Sequence, residues 1–342
     1  MSVRTRATAA YTKLRPYAPA VSFFGGFAWD AITLGRQIQP SDLFIAFGYL
    51  LGAGAILVAI GRGVRFRYSQ YLNAVLQFFF GNVFSALFIL YFLSSSDLPG
   101  YLVVLGLGAL LVGNEFLESA YSELTLSWAF FALSAIMFFN FALAHLFRSI
   151  NPFWFYLGTL LAMLLVVALR RLSTSARRSS AIPAFVAAGA MLALHAANFI
   201  PPVPLVKKDM FIAHDVRRAN GGYVATIESP GFRFWRSSSA IFHRSGGERV
   251  YCFTSVFIPE GIDTTIRHRW QVKGEDGWTT TSVIPFRIAG GRKAGYRGFT
   301  FKQNVTPGQW RVIAETTSGA AIGIVEFRLE PGTPDDVKSV TR

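Results

Sequence analysis

Seven apolar runs occupy the first part of the chain, at about Tyr17 to Leu34, Leu43 to Ile60, Leu72 to Leu93, Tyr101 to Phe116, Leu126 to Phe147, Phe153 to Leu169 and Ile182 to Pro204. A helix rises about 1.5 Å per residue, so roughly twenty apolar residues cross a ~30 Å hydrocarbon core. The runs predict a polytopic α-helical membrane domain of about seven transmembrane helices over residues 17–205. The first run follows Arg4, Arg6, Lys13 and Arg15 but lacks a small-x-small cleavage site, so it is expected to be a retained helix after a cytoplasmic N-terminus of residues 1–16. The last run, Ala181 to Leu205, closes on prolines, and there the pattern changes.

Beyond Lys207 apolar residues recur with period two. Ile266, His268, Trp270 and Val272 alternate with Arg267, Arg269 and Gln271, which predicts a strand with one buried and one wet face. Trp310, Val312 and Ala314 share a face of a second strand, and Val325, Phe327 and Leu329 of a third, with Thr317-Ser318-Gly319 turning between them. Further strands are expected at Tyr223 to Glu228, Phe232 to Trp235, Arg249 to Ile258, Thr279 to Ile288 and Gly295 to Lys302. Such short strands, punctuated by Gly and Pro, predict an all-β, immunoglobulin-like antiparallel sandwich over 206–331. Residues 332–342 have the composition of a disordered tail.

Composition supports this division. The 342 residues are 52% hydrophobic and 15% charged, too apolar for an ordinary soluble protein. The formal charge of +14 is split evenly about Pro204, so it does not mark a nucleic-acid-binding domain, and no nucleic acid partner is expected. The single cysteine, Cys252, permits no internal disulfide and alternates with Thr254, Val256 and Ile258 as a small buried residue.

Basic residues between the runs set orientation. With the N-terminus inside, eleven Lys and Arg face the cytoplasm, and only Arg36 and Arg148 face out. Seven crossings would then place the C-terminal domain outside the cytoplasm, because long domains translocate largely regardless of charge.

Three blocks carry a family resemblance: IRHRWQVKG at Ile266 to Gly274, GGRKAGYRGFTFK at Gly290 to Lys302, and GQWRVIAETTSGAAIGIVEFRL at Gly308 to Leu329. Together they resemble the bacterial family known as domain of unknown function 2914, over roughly Asp209 to Leu329. FAWDAITLGR at Phe27 to Arg36 and GNEFLE at Gly113 to Glu118 resemble its multi-helix partner family, number 5924. The resemblance implies a bacterial inner-membrane protein with a periplasmic domain, and it supplies no activity.

Two sets of residues are candidates for chemistry. In the helices Asp30, Asn140, His145, His195 and Asn198, with Arg36 and Arg148 at the rim, are expected to share a periplasm-facing layer. That layer is either a hydrated pocket of base and proton carriers or a set of interhelical polar contacts. One carboxylate and two histidines could hold zinc, but no fixed ligand spacing supports it, so no metal and no cofactor are assigned. Asn114 and Glu115 lie at the opposite depth, as gate or as interfacial polar groups. Gly52-Ala53-Gly54 permits close helix packing.

In the C-terminal domain Gly290 to Gly298 combines glycines with Arg292, Lys293, Tyr296 and Arg297. Backbone N–H groups, basic side chains and a stacking ring suit a phosphate or carboxylate, although an ordinary basic loop has the same composition. Arg267 and Arg269, with Arg233, Trp235 and Arg236, are expected to extend that surface, while His268 shares the buried face. No catalytic triad order, CxxC or P-loop is present. The expected function is an inner-membrane envelope protein whose periplasmic sandwich binds an anionic lipid, lipopolysaccharide or peptidoglycan, or a partner protein. The alternative is a membrane enzyme or transporter at the Asp30, His145 and His195 layer, with the sandwich as lid.

Overall fold

A computed structural model describes residues 40–64, 71–114, 124–174, 179–219, 221–229, 238–258, 264–288, 295–334 and 336–342. The chain divides into two compact units, one of residues 1–90, 104–142 and 156–193 and one of residues 91–103, 143–155 and 194–342.

Among the described residues six helices form: α1 Pro40–Gly61, α2 Leu72–Ser94, α3 Leu98–Asn114, α4 Leu124–Leu146, α5 Phe153–Leu172 and α6 Ile182–Ala196. Four of them, α1, α2, α4 and α5, are long and apolar enough to cross a membrane. Of the seven expected spans, four are present as long apolar helices, two runs form shorter helices of 17 and 15 residues, and the Tyr17 to Leu34 run lies outside the described residues. Punctuation follows the sequence. Asp97 caps α3 by accepting the Gly100 N–H at 3.0 Å, and Asn151 caps α5 by accepting the Phe153 N–H at 2.9 Å. In the first unit Gly52 lies against the Phe79 ring and Gly54 against Leu169 and Phe131, so these glycines serve close packing.

Eleven strands follow among the described residues: β1 Val206–Ala213, β2 Asp215–Ala219, β3 Gly222–Glu228, β4 Ile241–Arg244, β5 Val250–Phe257, β6 Thr264–Gly274, β7 Gly277–Ile288, β8 Tyr296–Lys302, β9 Gly308–Thr316, β10 Ala321–Pro331 and β11 Val337–Thr341. They make three sheets, ordered β1-β5-β8, β4-β10-β9-β6-β7 and β11-β3-β2. The first two share one core: Met210, Ile212, Cys252 and Val256 from one meet Trp270, Trp310, Val312 and Phe327 from the other. On the far face of β1-β5-β8, Phe211 and Phe253 join Val216, Ala225 and Ile227 of the third sheet in a second core. The three-stranded sheet β1-β5-β8 is therefore a middle layer, and β5 is buried almost throughout because both its faces are covered.

Three expectations change. The domain is not wholly antiparallel, because β4 pairs with β10 in parallel. A third sheet adds to the expected pair, built from short strands at opposite ends of the domain. The tail read as disordered forms β11, which pairs with β3 from Val337 opposite Glu228 to Thr341 opposite Val224. A polar segment gains order here from backbone hydrogen bonds on a sheet edge, which composition does not register. The strand expected at Phe232 to Trp235 lies outside the described residues.

Candidate anion-binding site

The middle sheet fixes where Arg297 points. Residues Asp209 (β1), Ser255 (β5) and Arg297 (β8) stand in one cross-strand row, and directly opposed residues project to the same face. Phe253 and Phe299, two residues along, pack in the core shared with the third sheet, so this row faces that sheet too.

A second row meets it. Arg218 on β2 stands opposite Tyr223 on β3, and Tyr223 exchanges two backbone hydrogen bonds of 2.8 Å with Arg342, just past β11. The Arg218 guanidinium lies 5.7 Å from the Tyr223 ring centroid, while Arg342 donates to Asp209 Oδ2 at 2.6 Å. A Cβ placed on Gly222 would lie 3.3 Å from Arg297 Nη1 and 2.7 Å from the Arg342 carbonyl oxygen, so glycine is needed for this approach. Three arginines from three strand ends thus rim the mouth of the second core around Tyr223. Arg342 is paired; Arg297 is half-buried and makes no hydrogen bond or ion pair among the described residues.

Arg267 and Arg269 are elsewhere. They lie on the face of β6 turned away from the middle sheet, and both bind Glu315 of β9, whose side chain is 3% exposed. Arg269 makes a bidentate pair at 2.9 and 2.8 Å, and that hydrogen bonding lifts its pKa above the ordinary arginine value. Arg311 continues the row, donating to Gln271 Oε1 at 2.6 Å with its guanidinium 4.4 Å from the Trp278 centroid. The expectation of one surface joining Arg267, Arg269 and Arg297 is corrected. β8 belongs to the middle sheet, so a full core separates Arg297 from the β6 arginines. Tyr296 is corrected as well: it is 5% exposed and packs in the larger core, so its ring offers no stacking face to a ligand. Arg292, Lys293, Arg233, Trp235 and Arg236 lie outside the described residues.

Two internal polar clusters were hidden to different degrees in the sequence. His268 is buried as expected; its ring nitrogens lie 2.8 Å from Thr254 Oγ1 and 2.9 Å from Thr300 Oγ1, and burial pushes its pKa down to about 3. Cys252 is buried nearby with its thiol pushed up by desolvation, which leaves it inert as a nucleophile. Glu228 was not anticipated. Its carboxylate binds His214 Nε2 at 3.0 Å, His243 Nδ1 at 3.0 Å and the His243 N–H at 2.6 Å. Burial alone would raise the Glu228 carboxyl, but these hydrogen bonds outweigh it and hold the group below the usual carboxylate range. The two partners come from the β1–β2 junction and from β4, 14 and 15 residues from Glu228 in sequence, and no motif announces them.

Two of the described polar residues of the helices sit at helix ends. Asn198 has φ 57° and ends α6, with the Phe199 N–H reaching the Leu194 carbonyl at 2.9 Å, and Arg148 at φ 50° ends α4 in the same way. A left-handed position favours Gly over Ala, so Asn198→Gly is expected to match wild type in thermal unfolding. Asn198→Ala is expected to cost about 1 kcal/mol; equal behaviour of the two variants would argue against the cap. His195 stacks on Phe155 with centroids 3.9 Å apart. His145 Nδ1 is buried without a hydrogen-bond partner among the described residues. In the first unit Asn140 is 8% exposed, with Gly158 of α5 against its backbone. Asn114 exchanges hydrogen bonds with Gln77 between α2 and α3, at 3.2 and 2.9 Å, which is a packing role. Asp30, Arg36 and Glu115 lie outside the described residues. Among the described residues no three His, Cys, Asp or Glu side chains are grouped to hold a metal.

Helices long and apolar enough to cross a bilayer, followed by a β-rich domain, fit a membrane protein with an appended β domain. Residues 263–329, from the start of β6 to near the end of β10, match the family described as "Protein of unknown function (DUF2914)". That match does not extend to the helices. A search of curated proteins finds no match. Among solved structures, a β-glucosidase from Listeria innocua in complex with gluconolactone aligns at 12% identity and TM-score 0.20, covering 32% of this chain and 16% of the glucosidase. The alkylpurine DNA glycosylase AlkC of Pseudomonas fluorescens, bound to DNA containing an abasic site analogue, aligns at 11% identity and TM-score 0.20, over 86% of this chain and 82% of that one. Neither likeness bears on fold or function.

Proposed function

We propose that this chain is a bacterial inner-membrane protein that holds a periplasmic β-sandwich, widened by its third sheet, against an anionic component of the envelope. In this reading seven helices cross the membrane with the N-terminus inside, as the bias of eleven inner to two outer basic residues favours. The ligand is a lipid, lipopolysaccharide or peptidoglycan group bound at the arginine rim. Arg297 carries the proposal. A half-buried guanidinium without a hydrogen bond or ion pair among the described residues is poised to take an external anion, whereas the β6 arginines are held by Glu315.

The test uses the full chain in bilayer discs, with lipopolysaccharide, phosphatidylglycerol and soluble peptidoglycan fragments offered at two salt concentrations. Binding is expected to weaken with salt and to fall about tenfold or more in Arg297→Ala, about 1.4 kcal/mol or more for a charged hydrogen bond. Unchanged binding in that variant would remove the site from the proposal. A reporter fused after Arg342 that is active only in the cytoplasm would overturn the orientation.

A further inference from the structure

Resting on the anion-recognition reading above, we infer that the rim around Tyr223 is a phosphoryl-binding site whose occupancy is linked to the docking of strand β11. The donors fit that chemistry. Arg218 and Arg342 flank Tyr223 on the third sheet, and Arg297 faces them from the middle sheet. Ser255, a buried residue, stands next to Arg297 in its row. Cations arriving from two facing sheets are not coplanar. They suit three oxygens disposed about a tetrahedral phosphorus better than the two coplanar oxygens of a carboxylate. The Asp209 carboxylate close by is engaged by Arg342, while Arg218 and Arg297 add positive charge.

The linkage follows from how weakly β11 is anchored. Four of its five residues are exposed, and Val340 alone turns toward the second core. Backbone pairing with β3 therefore supplies most of its attachment, and such a strand opens at low cost. The last backbone pair of that edge, Tyr223 with Arg342, lies in the site itself. An anion held jointly by Arg342, Arg297 and Arg218 ties the end of β11 to β8 and β2. Whatever binds only the docked form stabilises docking by the same free energy.

Amide hydrogen exchange on the full chain tests this. The discs are phosphatidylcholine alone, phosphatidylcholine with inorganic phosphate, or phosphatidylcholine with phosphatidylglycerol. Exchange at Lys338 to Arg342 and at Tyr223 is expected to slow about tenfold or more when a phosphoryl group of net negative charge, inorganic phosphate or phosphatidylglycerol, is added to the zwitterionic phosphatidylcholine background, and Arg297→Gln is expected to abolish the change. Slowing by inorganic phosphate identifies a soluble phosphoryl ligand, and slowing by phosphatidylglycerol alone identifies a lipid one; both support the inference. Anion binding without any change at β11 overturns the linkage and leaves the recognition reading intact. Absence of binding to phosphate, phosphatidylglycerol, lipopolysaccharide and peptidoglycan overturns both. Protection by peptidoglycan fragments but by neither phosphoryl source overturns the ligand class. A chain ended after Asp336 is expected to lose binding while its β1 and β5 amides stay protected, and equal binding by that chain refutes the role of β11. If the shortened chain loses β1 and β5 protection, the Arg342→Gln variant, which keeps the strand backbone, replaces it with the same expected loss.

Discussion

Between pH 6.5 and pH 5 the β domain is expected to lose about 1.6 kcal/mol of stability through His268 alone, with a slope that rises to roughly 1.4 kcal/mol per pH unit below the unfolded pKa. The ring is fully buried between two threonine hydroxyls, and burial lowers its pKa from 6.5 to about 3. In the unfolded chain the imidazole takes up a proton near pH 6.5; in the folded chain it stays neutral until about 3. Its contribution is therefore complete above 6.5 and is lost progressively as pH falls toward the folded value. Glu228 acts in the same direction but lower, because its depressed carboxyl releases stability only as pH falls through its own folded pKa. His268→Gln separates the two, since an amide can still donate to one threonine and accept from the other without titrating. Opening free energies from amide exchange in β5, β6 and β9 are expected to fall with pH in wild type and to stay level in the variant. An equal fall in both would trace the acid sensitivity to another group.

The burial of His268 was legible in the sequence because β6 alternates cleanly. So do β9 and β10, and the Thr317-Ser318-Gly319 turn between them, with Gly319 at φ 93°, could be placed from residue type alone. Period two tells which residues share a face, but not which sheet a strand joins. β8 opens on a glycine-rich stretch that gives no clear phase, so Tyr296 was read as outward although it lies in the core. Its pairing with β5 rather than with β6 or β7 puts Arg297 on the opposite side from Arg267 and Arg269. The third sheet was hidden for a related reason. β3 and β11 are more than a hundred residues apart, and β11 contributes only Val340 to a core, so no hydrophobic pattern announces it. Arg218, Tyr223 and Arg342 become neighbours only through that pairing, which is why the rim has no motif. In the helices the sequence located the polar residues but could not distinguish a ligand from a cap. The left-handed backbone at Asn198 and Arg148 shows that these two residues end helices.

Glu315→Ala is expected to be the most damaging single change on the outer face of the five-stranded sheet. The carboxylate is 3% exposed, and the two arginines it binds are 27% and 31% exposed. Removing it leaves two like charges side by side on neighbouring positions of β6, with Arg267 Nε already buried and without a hydrogen bond among the described residues. Breaking a fully buried pair costs about 3–5 kcal/mol, and partial solvation of the arginines reduces that to roughly 2–4 kcal/mol here. Arg267→Ala and Arg269→Ala should cost less, about 1 kcal/mol each, because the carboxylate keeps its other partner. The double variant Glu315→Ala, Arg269→Ala should recover part of the loss, which gives the pair a measurable coupling energy. Thermal unfolding followed by tryptophan fluorescence checks these values, and a Glu315→Ala protein as stable as wild type would sink the account. The Glu315→Gln variant carries the argument to function. It releases the β6 arginines from a full charge while keeping the side-chain shape. If recognition runs through Arg297 on the other side of the core, salt-sensitive anion binding should be unchanged in that variant while it remains folded. A marked gain in binding would show instead that the sheet face has latent affinity, which Glu315 suppresses in the native protein.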